Sequence, residues 1–596
     1  MFNNLIYFII VLLIYSTHTS MDDPYFGIFE TIFLFLLFII IFAFFTWYKF
    51  NRLKKQIPYK TLFTLDNNFS IIINNQSIVA IVLFAIDIYL LDIPFYLQNN
   101  TIFKTVPTLF AVIFLSLYIL YLTLVWYLAY PVYRQIYPTV LSRYSYVSSN
   151  LSFSLPILLP WVIISTFSDI IYALPFQIIK DFLSNPLGEI IYSLIFLFGI
   201  ALFGPVLIQK SWGCKPLEKG IIRSHIEAVC ERAKCEYADI VYWPIFEGKL
   251  ITAGVMGLIK KFRYILITDA LIKFLTPDEI ESVIAHEVGH VKKKHILFYL
   301  LFFIGYLILS ISTFNLINYG IIFLSPLYNP NHIITFVSIL MLILYFRYIF
   351  GYFMRNFERE ADIFVFTLFD SGIPLISTLE KIAIFSGQSP DKPNWHHFSI
   401  TERIDYIKKC EIDKIWILKH TQKIKKSVSI FLIGMAIIGI IGYQFNFGDA
   451  GKNLNNKLFE KILLKQLEIT PNKSELYAFL GDIYYSKKHY EKTIWAYKRS
   501  LVLKPDNAHV LNNLAWLFVT CEDKKFTNPK EALNLAKKAY EIEKSPHILD
   551  TLAESYFLNG EYGKAIFFEK EALKLAKVNL SYYEDQLKKF IKKQGE

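Results

Sequence analysis

Charge is scarce in this sequence. Asp, Glu, Lys and Arg make up only 19% of its 596 residues, against about a quarter in soluble globular chains. That shortage excludes a soluble protein over much of the length, and the 54% hydrophobic content, with 54 Phe and 39 Tyr, points the same way. Cysteine is also sparse. The five, Cys214, Cys230, Cys235, Cys410 and Cys521, form no C-x-x-C pair and no zinc-ribbon spacing, so they are expected to be free thiols and not a disulfide framework. The excess of positive charge, +11, is small for the size. In a membrane protein Lys and Arg mostly report topology, so no nucleic-acid partner is expected. The apolar stretch 2–16 has no basic segment before it and no evident small-residue cleavage site, which favours an anchor over a cleaved signal peptide.

What the chain has instead is long apolar runs. Spans of roughly bilayer length fall near 28–48, 77–97, 106–131, 152–172 and 189–208, which with 2–16 makes about six in an N-terminal membrane region, 1–208. Lys49, Arg52, Lys54, Lys55 and Lys60 follow the first long span, and Arg134 and Arg143 lie in the loop 132–150; both loops are therefore expected on the cytoplasmic side. Asp87 and Asp92 lie in or at the edge of 77–97. Intramembrane carboxylates suggest function, but pairing with polar groups of a neighbouring helix, or an interfacial position before Pro94, is the favoured reading. From about Lys210 charged and apolar residues mix at soluble frequencies, and a domain over 209–425 is expected.

Its centre is His286-Glu287-Val288-Gly289-His290. Thr276-Pro277-Asp278-Glu279 upstream has the form of a capping box with Pro at the first helical position, and Ile280, Val283 and Ile284 continue at helical spacing. On that helix His286 and His290 share a face, where two imidazoles can grip one Zn²⁺ and Glu287 can take a proton from a bound water. His295, nine positions after His286, is about half a turn out of phase and is expected to be structural or interfacial. Residues 250–258, with Thr252-Ala253-Gly254-Val255, and Tyr264–Thr268 have the look of strands. The first is either an edge strand that pairs with an extended substrate or a plain sheet strand.

The zinc helix runs through Lys292-Lys293-Lys294 into a membrane hairpin, 296–353, and the lysines put the site on the cytoplasmic face. The hairpin returns with Arg355-Asn356-Phe357-Glu358-Arg359-Glu360-Ala361-Asp362. A catalytic zinc usually takes three protein ligands. Glu358 and Asp362 share a helical face with Arg355, whereas Glu360 is turned about 200° away. Glu358 is therefore the expected third ligand, with Asp362 orienting a ligating imidazole from behind.

These residues resemble the zinc metallopeptidase family of the CaaX prenyl endopeptidases and the bacterial heat-shock protease HtpX, which shows H-E-x-G-H, two membrane spans, then R-x-x-E-x-x-A-D. His397-Phe398-Ser399-Ile400-Thr401-Glu402-Arg403-Ile404 resembles the family's further H-x-x-x-x-E-R-[IL] element, although the Pro that usually follows its His is absent, which leaves His396 as a neighbouring candidate. The resemblance covers roughly residues 210–410. It implies an integral-membrane zinc metalloendopeptidase with a zincin-like α+β domain and one Zn²⁺ per chain. By the same resemblance His397 stabilises the oxyanion and Arg403 supports the site through a carboxylate.

Lys419, Lys423, Lys425 and Lys426 precede a last span, about 428–443, within 426–446. If that span crosses, the segment 447–596 lies outside the cytoplasm; if it is re-entrant or interfacial, the segment lies inside. The segment repeats. Leu480-Gly481, Tyr484, Tyr497 and Pro505, then Leu514-Ala515, Phe518, Ala532, Ala536 and Ala539, then Leu552-Ala553, Tyr556, Ala565 and Ala572 fit three tetratricopeptide (TPR) units over about 474–579. The expectation is a mainly α protein: polytopic membrane helices, an inserted peptidase domain and a C-terminal α-solenoid. Its partners would be a peptide or protein substrate, the lipid bilayer and a protein bound by the repeats. Quality control of membrane or misfolded proteins is the first functional reading. A non-catalytic adaptor and a prenyl-protein endopeptidase are the alternatives. A bacterial cell membrane is the expected location.

Overall fold

A computed structural model describes residues 2–18, 20, 24–137, 142–244, 250–324, 331–386, 390–391 and 397–594. Among them seven helices are long and apolar enough to cross a membrane, or eight if one bent pair is a single span. This is an integral, multi-pass and mostly helical protein. The chain divides into two compact units, one of Met1–Ser310 with Asn331–Gly439, the other of Ile311–Pro330 with Ile440–Glu596.

The first unit opens with the apolar helix Phe2–Ser16 and the long helices Ile28–Lys54, Leu62–Tyr89 and Pro107–Ile136. They close on an aromatic core that includes Phe42, Phe84, Tyr118 and Tyr121. Two expected spans are corrected here. The one placed at 77–97 is the helix Leu62–Tyr89. It begins at Thr61, whose side chain accepts from the Thr64 amide, and stops ahead of Asp92, which takes a left-handed φ of 41° before Pro94. Its polar first half hid the helix, but those groups are satisfied inside the bundle: Asp66 accepts from the Tyr137 hydroxyl, and Gln76 Oε1 accepts from Thr46 at 2.9 Å. The span placed at 152–172 is two helices, Arg143–Ser154 and Leu159–Ala173, bent by 54°. Pro156 and Pro160 at the break remove the amides a straight helix would need. Asp87 is fully buried and accepts from the Tyr121 hydroxyl at 2.9 Å, while Asp92 meets His18 Nε2 at 3.0 Å. Both carboxylates thus have neighbouring partners.

A four-stranded sheet follows: β1 (Lys215–Pro216), β2 (Asp239–Tyr242), β3 (Ala253–Met256) and β4 (Tyr264–Ile267), in the order β1-β2-β4-β3. β2 and β4 are parallel; β3 runs antiparallel to β4 with Ala253 opposite Ile267, and forms one edge. Ile240, Ile265 and Ile267 on the sheet pack against Ile226, Ile280, Ile284 and Val288 from the helices Ile221–Arg232 and Pro277–Lys292. The helix Pro277–Lys292, which carries both central histidines, starts as its capping box dictates: the Thr276 amide donates to Glu279 Oε2 at 2.7 Å. Glu279 also accepts from Lys381 and Ser377, each at 2.7 Å, which pins this helix to the helix Ile373–Ser386.

The stretch expected as a hairpin holds the apolar helix His295–Leu324 and then the helix Asn331–Leu344, which passes through a π-helical turn at Tyr345–Phe350 and continues as Gly351–Leu368. The last long apolar helix is Ile415–Asn446, beginning well before the expected boundary at 426.

In the second unit the helix Asp449–Ile469 precedes three helix pairs: Ser474–Ser486 with Tyr490–Leu503, Ala508–Thr520 with Pro529–Ile542, and Pro546–Leu558 with Tyr562–Leu575. Small residues let each pair close. A Cβ on Gly481 would lie 2.3 Å from the Tyr497 ring, and Ala515, Ala532, Ala536, Ala553 and Ala565 are fully buried. The helix Leu580–Gln594 covers the end through Phe590.

Candidate metal centre

Three buried side chains converge between the helix Pro277–Lys292 and the returning helix Gly351–Leu368. His286 Nε2 and His290 Nε2 are 3.3 Å apart. Glu358 Oε2 is 3.5 Å from the first and its Oε1 is 3.6 Å from the second. Ligands held tetrahedrally about 2.0–2.1 Å from a zinc ion are about 3.3 Å from one another, so this donor set has the edge lengths and the N₂O chemistry such an ion requires. It is the one His/Cys/Asp/Glu group able to hold a metal among the described residues. Burial pushes the pKa of His290 down to about 3, whereas at His286 burial is outweighed by the hydrogen bonds to Asp362 and Glu358, which raise its pKa to about 10.

Close backbone approach brings the two helices together. A Cβ on Gly289 would sit 3.0 Å from Phe364 Cβ and 3.2 Å from Ala361 Cα. The glycine inside the H-E-x-G-H pattern and the alanine beside Asp362 are thus the contact point that sets Glu358 opposite the imidazoles.

Behind the donors lies an orienting layer. His286 Nδ1 is 2.9 Å from Asp362 Oδ1. Arg403 clamps the same carboxylate through Nε to Oδ2 at 2.9 Å and Nη2 to Oδ1 at 2.7 Å. Arg403 is placed by a second capping box, in which the Ser399 amide donates to Glu402 and the Glu402 amide to Ser399 Oγ. His397, just upstream, has Nδ1 3.1 Å from Glu358 Oε2. Arg355 has Arg347 and Glu402 as charged neighbours and is not among the cavity-lining side chains. His396 lies outside the described residues.

A cavity of about 550 Å³ opens on this cluster. Thr252, Ala253, Gly254 and Val255 line one wall, Leu271, Leu275 and Leu379 another, and Glu287, His397 and Arg403 face it. The Val255 backbone amide donates to Glu287, and burial pushes that carboxyl above its ordinary range. Edge strand, Glu287 and donor triangle therefore share one space.

Two residues were not expected here. His295 Nδ1 is 2.9 Å from His290 Nδ1, and His295 Nε2 is 3.1 Å from Glu360 Oε2. Helical phase had turned both away from the donors. That rule assumes an unbroken helix, and the chain breaks at Lys294, with φ of 60°, which swings His295 back under His290. Glu360 does point away from the donor face, and meets His295 there. The break could have been sought in the sequence at the Lys292–Lys294 run, where helix-terminal cations concentrate.

Residues 216–411 match the model of Peptidase family M48. The chain is 35% identical over 66 residues to Protease HtpX of a Psychrobacter species, covering 11% of this chain and 22% of that protein. It is 29% identical over 127 residues to CAAX prenyl protease 1 of Saccharomyces cerevisiae, covering 20% of this chain and 27% of that protein. It thus spans about a quarter of the length of the curated relatives it matches. The crystal structure of S. mikatae Ste24p aligns at 18% identity with a TM-score of 0.32, over 65% of this chain and all of that one, a likeness too remote to support structural argument.

Proposed function

We propose that the chain is a membrane-embedded zinc metalloendopeptidase. The observation that carries the reading is the donor triangle of His286, His290 and Glu358, at near-tetrahedral spacing, with Glu287 facing the same cavity. The layout proposed with it is a membrane region over 1–208, a zincin-like α+β domain over 209–425 that contains the hairpin, a span over 426–446 and a tetratricopeptide tail over 447–596.

One Zn²⁺ per chain, held by the three donors, would supply Lewis acidity and an acidified water. Glu287 takes the proton of the attacking water and delivers it to the leaving amine. Its raised carboxyl, hydrogen-bonded by Val255, suits a base that must accept and then return a proton. His397 faces the developing oxyanion. Asp362, clamped by Arg403, fixes the His286 tautomer. The substrate lies extended along the edge strand β3 near Ala253, backbone to backbone. Lys292, Lys293 and Lys294 support a zinc site facing the cytoplasm, and the basic run before 428 supports a tail on the other side; the membrane proposed is the cell membrane of a bacterium.

Membrane or misfolded proteins are the proposed substrates, and the tail is proposed to bind a protein partner. Against the adaptor reading stands Glu287, the base that a scaffold would not need. The test is zinc content and casein hydrolysis of the detergent-purified protein beside Glu287→Gln, with a farnesylated C-terminal peptide as second substrate. The expected result is about one zinc per chain in both proteins and hydrolysis by the wild type alone. No zinc in the wild type defeats the ligand assignment. Cleavage of the farnesylated peptide and not of casein moves the assignment to the prenyl-protein class.

A further inference from the structure

The two imidazoles of the donor triangle are not supported alike. Behind His286 stands a carboxylate, Asp362. Behind His290 stands a third imidazole, His295, fully buried and stacked on the Phe357 ring at 4.4 Å with an interplanar angle of 6°. Beyond it is Glu360, also buried, whose other oxygen is 3.6 Å from Lys293 Nζ.

We infer that His295 and Glu360 are positioning residues for the metal ligand His290, forming a His290–His295–Glu360 chain that fixes its tautomer and ring orientation. The inference rests on the zinc reading above. If Nε2 of His290 binds the ion, its Nδ1 carries hydrogen. At 2.9 Å that N–H has one partner, His295 Nδ1, which must then accept. An imidazole that accepts at Nδ1 and stays neutral carries its hydrogen on Nε2. That nitrogen faces Glu360 Oε2 at 3.1 Å, and a carboxylate is the acceptor it requires. Each assignment forces the next, and no other arrangement satisfies all three groups. Phe357 holds the middle ring in place, so His290 cannot swing without losing its hydrogen bond to His295.

The chain also sits at a junction. His295 is the first residue of the hairpin helix His295–Leu324, and Glu360 comes from the helix that returns. The entry and the exit of the hairpin therefore meet directly under one metal ligand.

The test uses the full-length, detergent-purified protein. Zinc affinity is read by chelator competition and ligand geometry by the visible spectrum of the Co²⁺-substituted protein. His295→Leu removes both bonds and should weaken zinc binding about 10–100-fold and shift the Co²⁺ bands. His295→Gln should restore much of both, because an amide places one acceptor and one donor on atoms flanking a single carbon, as imidazole does. Rescue by Gln separates positioning from mere filling of space, for which Leu would serve as well. Unchanged affinity and spectrum in His295→Leu overturn the inference. Should that variant fail to fold, Glu360→Gln decides: weakened zinc binding supports the chain, and wild-type binding with an unaltered spectrum overturns it. Absence of zinc from the wild type would sink the zinc reading itself, whereas equal binding by wild type and His295→Leu sinks only the chain.

Discussion

Removing Asp362 and Arg403, singly and together, tests whether they act on the metal through His286. Asp362 is buried and accepts two charge-assisted hydrogen bonds from Arg403, at 2.9 and 2.7 Å, and lies 2.9 Å from His286 Nδ1. The hydrogen bonds of Arg403 reach His286 through that carboxylate. Asp362→Asn should weaken zinc binding about 10–100-fold, as loss of such partners typically does, which is about 1.4–2.7 kcal/mol. Arg403→Gln leaves the carboxylate unclamped and should cost somewhat less. The pair is in series, so the double variant should cost about as much as Asp362→Asn alone, giving a coupling energy close to the Arg403→Gln effect. Chelator competition on the purified protein reads all four affinities without requiring reversible unfolding. Additivity within about 0.5 kcal/mol would refute the series arrangement, and unchanged affinity in Asp362→Asn would refute the role of the carboxylate altogether.

Gly289→Val should push the ligand helix off Phe364 and Ala361 and separate His290 from Glu358. A loss of about 1–3 kcal/mol in stability is expected, seen as a lower thermal midpoint together with weaker zinc binding; a variant with wild-type values for both would refute the close-contact argument. In the tail, Asp550 and Glu569 are buried against one another, and burial raises them to about 6 and about 9. Their folded pKa values lie above the unfolded ones, so this stability is full below about pH 4 and is lost as pH rises through those values. Hydrogen-exchange protection in the helices Pro546–Leu558 and Tyr562–Leu575, taken relative to the base-catalysed intrinsic rate, should therefore fall as pH rises through this range, and Glu569→Gln should flatten that dependence. Finally, a variant retaining Cys521 as its only cysteine should be labelled in intact cells by an impermeant thiol reagent; labelling only after lysis would put the tail inside.

Much of the metal centre was legible because its determinants are local. A capping box fixes where a helix starts, and from that start the i, i+4 rule puts His286 and His290 on one face and Glu358 and Asp362 on another. The strands expected at 250–258 and 264–268 enclose the observed Ala253–Met256 and Tyr264–Ile267, and the three tail pairs followed from recurring small residues at the sites of closest packing. What failed were inferences that assumed continuity. Hydropathy missed the first half of Leu62–Tyr89 because polar side chains such as Asp66 lower it, and the Tyr137 hydroxyl that satisfies Asp66 lies 71 positions away. Helical phase left His295 out of the donor group, where it indeed does not belong, but gave no sign that it lies against His290, because Lys294 leaves the helix.

The sequence by itself determined which groups can bind a metal, which can move a proton and which segments prefer lipid, since these depend on side-chain chemistry and spacing within a helix. Only the tertiary structure decided the partners that stand behind them. Asp362 meets Arg403 across 41 positions and His295 meets Glu360 across 65. Pairings of that range are set by how two helices approach, here at Gly289, and a one-dimensional spacing rule carries no information about that approach.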